Sequence, residues 1–141
     1  MRVSLLKAVL IIVGLAVAGV AAAQPYPTRP VRIIVPQSPG ASTDFTARLV
    51  AQKLNEAFKQ PVVVDNRPGG SGIPGAELVT RAAPDGYTLM VVASSFSINP
   101  ALRRDLPYDP IRDFTTVSQL SKFPNMLAAH PSVPVKTLQD V

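Results

Sequence analysis

The chain has 141 residues, of which 47% are hydrophobic and 16% charged, with 14 Lys+Arg against 9 Asp+Glu. This composition excludes an intrinsically disordered chain, and the length suits one domain of ordinary size. Cysteine is absent and there is one histidine. Disulfides, thiolate zinc sites, cysteine nucleophiles, an N-terminal lipid-modified cysteine and sites built from several histidines are therefore excluded.

The first 23 residues are typical of a cleavable export signal. Arg2 and Lys7 precede the uncharged run Ala8–Ala23, which ends in small residues. A membrane anchor is the alternative, but a spanning helix needs about 20 apolar residues, and this run is shorter and contains two glycines. Removing the segment leaves 118 residues with a net charge of +3. Because Arg103-Arg104 is the largest basic cluster left, we predict no nucleic-acid partner. The export signal predicts a periplasmic protein.

The first predicted unit is a strand, a loop and a helix. Val31–Val35 is mainly β-branched and lies between two prolines, which predicts a strand buried on both faces. A loop follows over residues 36–42. From Thr43 to Phe58 the apolar residues recur at helical spacing, as Phe45/Leu49 and as Val50/Leu54/Phe58.

Two further units follow in the same order. Val62–Val64 predicts a second strand, residues 66–72 a Gly-rich loop, and residues 74–82 a helix that has proline in its first turn. After the turn Pro84-Asp85-Gly86, Tyr87–Ala93 predicts a third strand. Asn99-Pro100 is interpreted as a helix N-cap followed by the first helical position.

Three strand-to-helix passages predict a parallel sheet covered on both faces, and hence an α/β fold. Thr115–Leu120 and Asn125–His130 are two weaker strand predictions. At the end of the chain, Thr137 and Asp140 resemble the start of a capping box, which suggests a cut chain or, alternatively, a frayed tail.

The loops after the predicted strands contain glycine and small hydroxyl residues. In open α/β sheets, ligands bind beyond the carboxyl ends of the strands, here at residues 39–44, 66–72 and 94–95. Glycine allows backbone N–H groups to approach a ligand, and a following helix N-terminus favours an anion. These loops suit a small carboxylate. The alternative is that they only form tight turns and helix caps.

The sequence gives little support for a nucleotide-binding site or a nucleophilic active site. Residues 70–75 match G-x-G-x-x-G, but Gly70 lies well beyond the predicted strand and Val91–Phe96 lacks the acidic residue that would bind a ribose, so no dinucleotide cofactor is expected. A phosphate-binding P-loop and a nucleophile elbow are also missing from the sequence. We predict no cofactor and no metal.

Three positions, Asp44, Arg67 and His130, have two interpretations each. Asp44 is either a general base or a residue that favours the helix dipole or fixes the loop. Arg67 is either an anion clamp or a surface cation. As the single histidine, His130 would have to be the histidine of a Ser/His/Asp hydrolase site. A structural role is favoured, because no nucleophile can be assigned beside it. Arg103-Arg104 is interpreted as a solvated pair.

At these loops the sequence resembles the Bug (TctC-like) family, the periplasmic solute-binding proteins of tripartite tricarboxylate transporters. The match is in order, at family spacing, and covers nearly all of residues 24–141. The matching segments are Tyr26–Pro36, Pro39–Asp44, Pro61–Gly72, Ala83–Leu89, Asn99–Leu102 and Leu106–Pro110 with Asp113-Phe114.

The resemblance implies the α/β parallel-sheet lobe of a two-lobed, type II periplasmic binding protein, a Venus flytrap that closes on a small carboxylate. It also implies that the protein is not an enzyme and that it presents the carboxylate to membrane permease subunits of two types. The family's ligand loops carry over to Gly40, Ala41, Ser42, Thr43 and Asp44, to Gly69, Gly70, Ser71 and Gly72, and less directly to Ser94 and Ser95. Ala41 replaces a family glycine, and alanine does not readily adopt a positive φ.

The expected organisation is a signal peptide over residues 1–23, an incomplete first lobe over 24–130, and the start of the crossover to the second lobe over 131–141. Two lobes of about 100 to 150 residues each would need a longer chain, so the resemblance implies a truncated receptor. The alternatives are a nonfunctional remnant of a split gene and a small hydrolase that uses Asp44 or His130.

Overall fold

The computed structural model of the protein describes residues 25–122, 124, 126–135 and 137–140. The predicted signal segment, residues 1–23, lies outside them. Within the described residues, no helix has the length and hydropathy needed to cross a membrane. The elements are β1 (Val31–Val35), α1 (Ser42–Phe58), β2 (Val62–Asn66), a 3₁₀ turn (Gly70–Gly72), α2 (Ile73–Thr80), β3 (Thr88–Met90), α3 (Ser95–Leu102) and a 3₁₀ turn (Leu138–Asp140).

The predicted parallel sheet is confirmed, with strand order β2-β1-β3 in the described part of the chain. Alternate residues of the central strand β1 point to opposite faces. Val31, Ile33 and Val35 pack with Ala47 and Ala51 of α1, while the fully buried Ile34 serves the other face. Because β2 and β3 lie on opposite sides of β1 and such crossovers are right-handed, α1 and α2 cover opposite faces.

The predicted apolar face of α1 is only partly correct. Phe45 and Leu49 were expected among its apolar positions, but they are 70% and 51% exposed. The residues that α1 buries are Thr43, Asp44, Ala47 and Ala51. Small side chains let the helix lie close to β1, and the bulky pair faces outward.

The predicted start of the third helix is wrong. Asn99 and Pro100 lie inside α3, whose N-cap is Ser94. The local pattern of an N-cap residue before proline misled the prediction, because Asn99 is buried and serves a contact outside its own helix. The strand before it is also shorter than predicted, covering Thr88–Met90 rather than 87–93.

Neither weak strand prediction after α3 is confirmed. Residues 115–120, and the described residues of 125–130, form no strand. A strand needs a neighbouring strand for its backbone hydrogen bonds, and in the described part of the chain these residues pair with neither edge strand, β2 or β3. The capping contact at the end does form, since the Thr137 N–H donates to Asp140 Oδ2 at 2.7 Å.

A cluster of Tyr26, Phe58 and Tyr87 packs the first described residues against the amino end of the sheet. The Tyr26 hydroxyl donates to the Gly86 carbonyl at 2.6 Å, and the Tyr26 ring lies edge-on to Tyr87 and Phe58. Gly86 has the positive φ of 82° that its predicted turn favours. This cluster and the carboxyl ends of the strands lie at opposite ends of the sheet.

Candidate functional site

Three helical segments begin at the carboxyl edge of the sheet without side-chain caps. They start at Ser42 (α1), at Gly70 (the 3₁₀ turn that leads into α2) and at Ser95 (α3), and no side chain among the described residues caps any of them. The first N–H groups of a helix have no partner within the helix. The starts of α1 and α3 therefore carry partial positive charge and favour a bound anion, whereas Gly70–Gly72 has positive φ throughout and contributes a tight loop beside them.

A cavity of about 530 Å³ lies where these segments meet. It brings together predicted site residues from all three loops, namely Ala41 and Ser42, the run Gly69–Gly72, and Ser95. Pro36, Gln37, Ser38 and Pro68 complete its lining. The parallel topology explains this convergence, because the carboxyl ends of parallel strands share one edge of the sheet.

A second cavity of about 490 Å³ shares Ser42 with the first. Thr43 and Ser94 line this one, together with Thr46, the run Met90–Ala93 and the run Ser118–Ser121. Residues 118–121 were not predicted to be near the site. Part of this run had been interpreted as a strand, and its sequence carries no glycine or turn signal that would have indicated a site.

Gly40 lines neither cavity and shapes the first loop. Its φ is 86°, and its N–H donates to Asp44 Oδ2 at 2.9 Å. The N–H of Ala41 is also used, by the Ser38 carbonyl at 3.2 Å. Ala41 has a φ of −68°, so alanine meets no backbone strain where the family has glycine.

The Asp44 carboxylate is 3% exposed and accepts hydrogen bonds from three groups. Oδ2 accepts from Arg48 Nε and the Gly40 N–H, each at 2.9 Å, and Oδ1 accepts from Asn66 Nδ2 at 2.9 Å. These bonds, led by the one from Arg48, lower the pKa of Asp44 to about 2. The arrangement favours the loop-fixing interpretation of Asp44 over a general base. Sequence reasoning missed Arg48, although an Arg four residues after an Asp on a helix is a recognisable pairing signal, and it placed Asn66 in the second loop without assigning it a role.

The second loop has an unusual backbone. Gly69, Gly70, Ser71 and Gly72 all have positive φ, and Ser71 adopts 55° without being glycine. The Ser71 carbonyl accepts a hydrogen bond from Asn99 Nδ2. A side chain at Gly72 would place its Cβ 3.0 Å from Pro36 Cβ, so the loop also packs closely against the end of β1.

The remaining candidates lie outside the two cavities. Arg67 Nε donates to Asp65 Oδ2 at 3.1 Å, and its side chain is half exposed, which favours the surface-cation interpretation. His130 is exposed, with Nδ1 2.7 Å from Ser132 Oγ. Arg103 and Arg104 are exposed, as expected. Among the described residues, no group of three or more His, Asp or Glu side chains could hold a metal ion.

The sequence profile described as "Tripartite tricarboxylate transporter family receptor" (TctC) matches residues 46–141. The chain belongs to the TctC family. It is 39% identical to the protein BugT of Bordetella pertussis over 129 aligned residues. This alignment covers 88% of this chain and 40% of BugT. The chain therefore spans about two fifths of the length of that relative.

Solved structures of periplasmic binding proteins share the fold of this TctC chain. An R. palustris protein solved with adipate has a TM-score of 0.69 and 39% identity over 82% of this chain and 39% of its own. MatC of Rhodopseudomonas palustris, with bound malate, has a TM-score of 0.59 and 37% identity over 64% of this chain and 31% of its own. For the periplasmic binding protein BugD the TM-score is 0.60 and the identity 38%, over 63% of this chain and 30% of BugD. The α/β parallel sheet described above is thus that of a periplasmic binding protein lobe.

Proposed function

We propose that this TctC chain contributes to a periplasmic receptor that captures a small carboxylate and delivers it to the membrane permease subunits of a tripartite tricarboxylate-type transporter. One observation carries the proposal: α1 and α3 begin without side-chain caps around a cavity of about 530 Å³ that the Gly69–Gly72 loop also lines. At the start of α1 the N–H groups of Ser42 and Thr43 have no partner among the described residues, and with the partial positive charge of the helix end they suit a carboxylate. The hydroxyl groups of Ser42, Ser71 and Ser95 add neutral hydrogen-bonding groups at the same cavity.

Adipate and malate, named with two of the similar structures, are both small carboxylates. We extend that ligand class to this chain. The proposed contacts come from the residues that line the two cavities, and Gly40 and Asp44 shape the first loop. Within the longer receptor, residues 24–130 would form one wall of the cleft and residues 131–141 the start of the crossover to the other lobe. Residues 1–23 would direct export and be removed.

We also propose that the site binds without catalysis. The Asp44 carboxylate is buried and accepts from three donors, which leaves it poorly placed to take a proton from a substrate. His130 lies in an exposed turn beside Ser132, outside the residues that line the two cavities. Turnover that disappears in His130→Ala would contradict this part of the proposal.

Isothermal titration calorimetry tests the ligand class. Adipate, malate and citrate are titrated into this chain and into BugT, with the neutral diamide of adipate as the ligand control. We expect the carboxylates to bind and the diamide not to bind, with weaker binding by this chain because it supplies one wall of the cleft. Equal binding of adipate and its diamide, or no carboxylate binding by either protein, contradicts the proposal.

A matched pair of variants locates the binding site. Ser42→Asp places a carboxylate at the first position of α1 and should abolish carboxylate binding by charge repulsion and competition for the same N–H groups. Gln52→Glu adds the same charge on α1 about 15 Å farther along its axis and should leave the affinity unchanged. Equal effects of the two variants would contradict binding at the start of α1.

A further inference from the structure

We propose that Arg48 and Asn66 are positioning residues for the carboxylate site, and that they do this by keeping the Asp44 side chain off the free N–H groups at the start of α1. The inference rests on the proposed function, because it concerns the same N–H groups. It adds two residues that line neither cavity.

Arg48, Asn66 and Asp44 form a closed ring of side-chain hydrogen bonds. Arg48 Nε donates to Asp44 Oδ2 at 2.9 Å, Asn66 Nδ2 donates to Asp44 Oδ1 at 2.9 Å, and a terminal guanidinium nitrogen of Arg48 donates to Asn66 Oδ1 at 3.2 Å. Arg48 lies one turn along α1 and Asn66 ends β2. Asn66 Nδ2 also donates to the Gln37 carbonyl at 3.0 Å, so the ring joins the loop after β1 to the end of β2.

The position of Asp44 explains why such a ring matters. Asp44 is the third residue of α1, and an acidic side chain in the first turn is attracted to the positive N-terminal end of its own helix. A capping carboxylate would occupy the end of the helix that a ligand carboxylate needs. In this protein both Asp44 oxygens are instead used by Gly40, Arg48 and Asn66.

The ring also offsets the negative charge that Asp44 brings to the start of α1. Asp44 is the only acidic residue in the loop and first turn of α1, and its negative charge would repel an anionic ligand. The Arg48 guanidinium lies against that carboxylate and offsets its charge. Arg48 and Asn66 thus leave the start of α1 both uncapped and favourable to an anion.

Calorimetry with adipate and malate on a set of variants tests the proposal. Arg48→Gln should weaken binding about two- to fivefold, the range expected for one charge at a helix end. Adding Asp44→Asn to Arg48→Gln should restore most of the affinity, because the carboxylate that competes is then gone. Lys53→Gln removes another cation of α1, one that pairs with Glu56, and should leave the affinity unchanged.

A measurement without ligand tests the positioning role of Arg48 and Asn66 independently of the proposed carboxylate binding. In ¹H–¹⁵N spectra, Arg48→Gln should shift the amide resonances of Gly40, Ser42 and Thr43, because the Asp44 carboxylate leaves the first and approaches the other two. Unmoved resonances in the folded variant, or a double variant that binds no better than Arg48→Gln, overturn the inference. If the unaltered protein binds no carboxylate, the proposed function fails, and the amide resonances still decide where Asp44 lies.

Discussion

The side-chain amide of Asn99 donates a 3.0 Å hydrogen bond to the backbone carbonyl of Ser71, 28 residues earlier in the chain. Asn99 is 5% exposed and lies inside α3, while Ser71 holds a left-handed conformation in the turn before α2. This bond ties the second loop to the third helix. It therefore holds the second loop and α3 together beside the cavity that both of them line.

Asn99→Ala should lower the free energy of unfolding by about 1–3 kcal/mol, because the Ser71 carbonyl loses its buried partner. Chemical denaturation measures this change. Ser97→Ala, at an exposed position on the same helix, should change stability by no more than about 0.5 kcal/mol. Similar losses in the two variants would contradict the role assigned to Asn99.

Gly75→Ala should destabilise the protein although alanine is the better helix former. A Cβ at position 75 would lie 3.0 Å from Pro36 Cβ and 3.3 Å from Pro36 Cα, so α2 and Pro36 must separate by a few tenths of an ångström. Overpacking of this kind costs about 1–3 kcal/mol. In denaturation experiments, combining it with Pro36→Gly should cost less than the sum of the two single changes, and strict additivity would contradict the contact.

The pH dependence of folding should report the Asp44 ring. Because the folded-state pKa of Asp44 is lowered from 3.8 to about 2, mainly by the hydrogen bond from Arg48, the ionised carboxylate stabilises the fold above about pH 4 and loses this effect as the pH falls towards 2. Asp44→Asn removes the ionisation. Its stability should therefore decline less steeply than that of the unaltered protein over this interval, as measured by urea denaturation at several pH values.

Tyr108→Phe should leave stability unchanged or raise it by about 1 kcal/mol. Tyr108 is 6% exposed, stacks on Phe96 at 5.6 Å between ring centroids, and contacts the Phe114 ring edge-on. Its buried hydroxyl has no hydrogen-bond partner among the residues that the structure describes, so removing the oxygen keeps the ring packing and removes a buried polar group that lacks a hydrogen bond. Tyr108→Ala, which removes the ring, should cost about 3–5 kcal/mol, and a loss of that size in Tyr108→Phe would show that the hydroxyl is paired.

Phe45→Gln should change the free energy of unfolding by no more than about 0.5 kcal/mol, because the ring lies on the exposed face of α1. Leu54→Ala, on the face that packs against the core, should cost about 2 kcal/mol or more. Thermal or chemical denaturation of the two variants compares the faces directly. If Phe45→Gln lowers the free energy of unfolding more than Leu54→Ala does, Phe45 is part of the buried face, as the sequence predicted.

Much of the architecture was predictable because its signals are local. The β-branched run Val31–Val35 between two prolines favours a strand wherever it lies in a fold. Glycine and small hydroxyl residues after each strand indicated the loops, and parallel pairing then brings those loops to one edge. Most residues lining the first cavity, such as Ser42, Ser71 and Ser95, were found in this way.

Errors arose where contacts across the fold override local patterns. Asn99-Pro100 has the local form of a helix start, yet Asn99 is drawn inside α3 by its contact with Ser71. The bulky residues Phe45 and Leu49 have helical spacing, but the close approach of α1 to β1 selects the small residues Ala47 and Ala51 for the buried face.

The amino-acid sequence by itself determined the order of strand-to-helix units and the three loops that meet at the site, since these depend on neighbouring residues and on the geometry of parallel sheets. Only the tertiary structure decided which polar groups hold the loops and which N–H groups stay free for a ligand. The Asp44–Arg48–Asn66 ring and the Asn99–Ser71 bond join residues from different elements. Such bonds exist only once the sheet has brought those elements together.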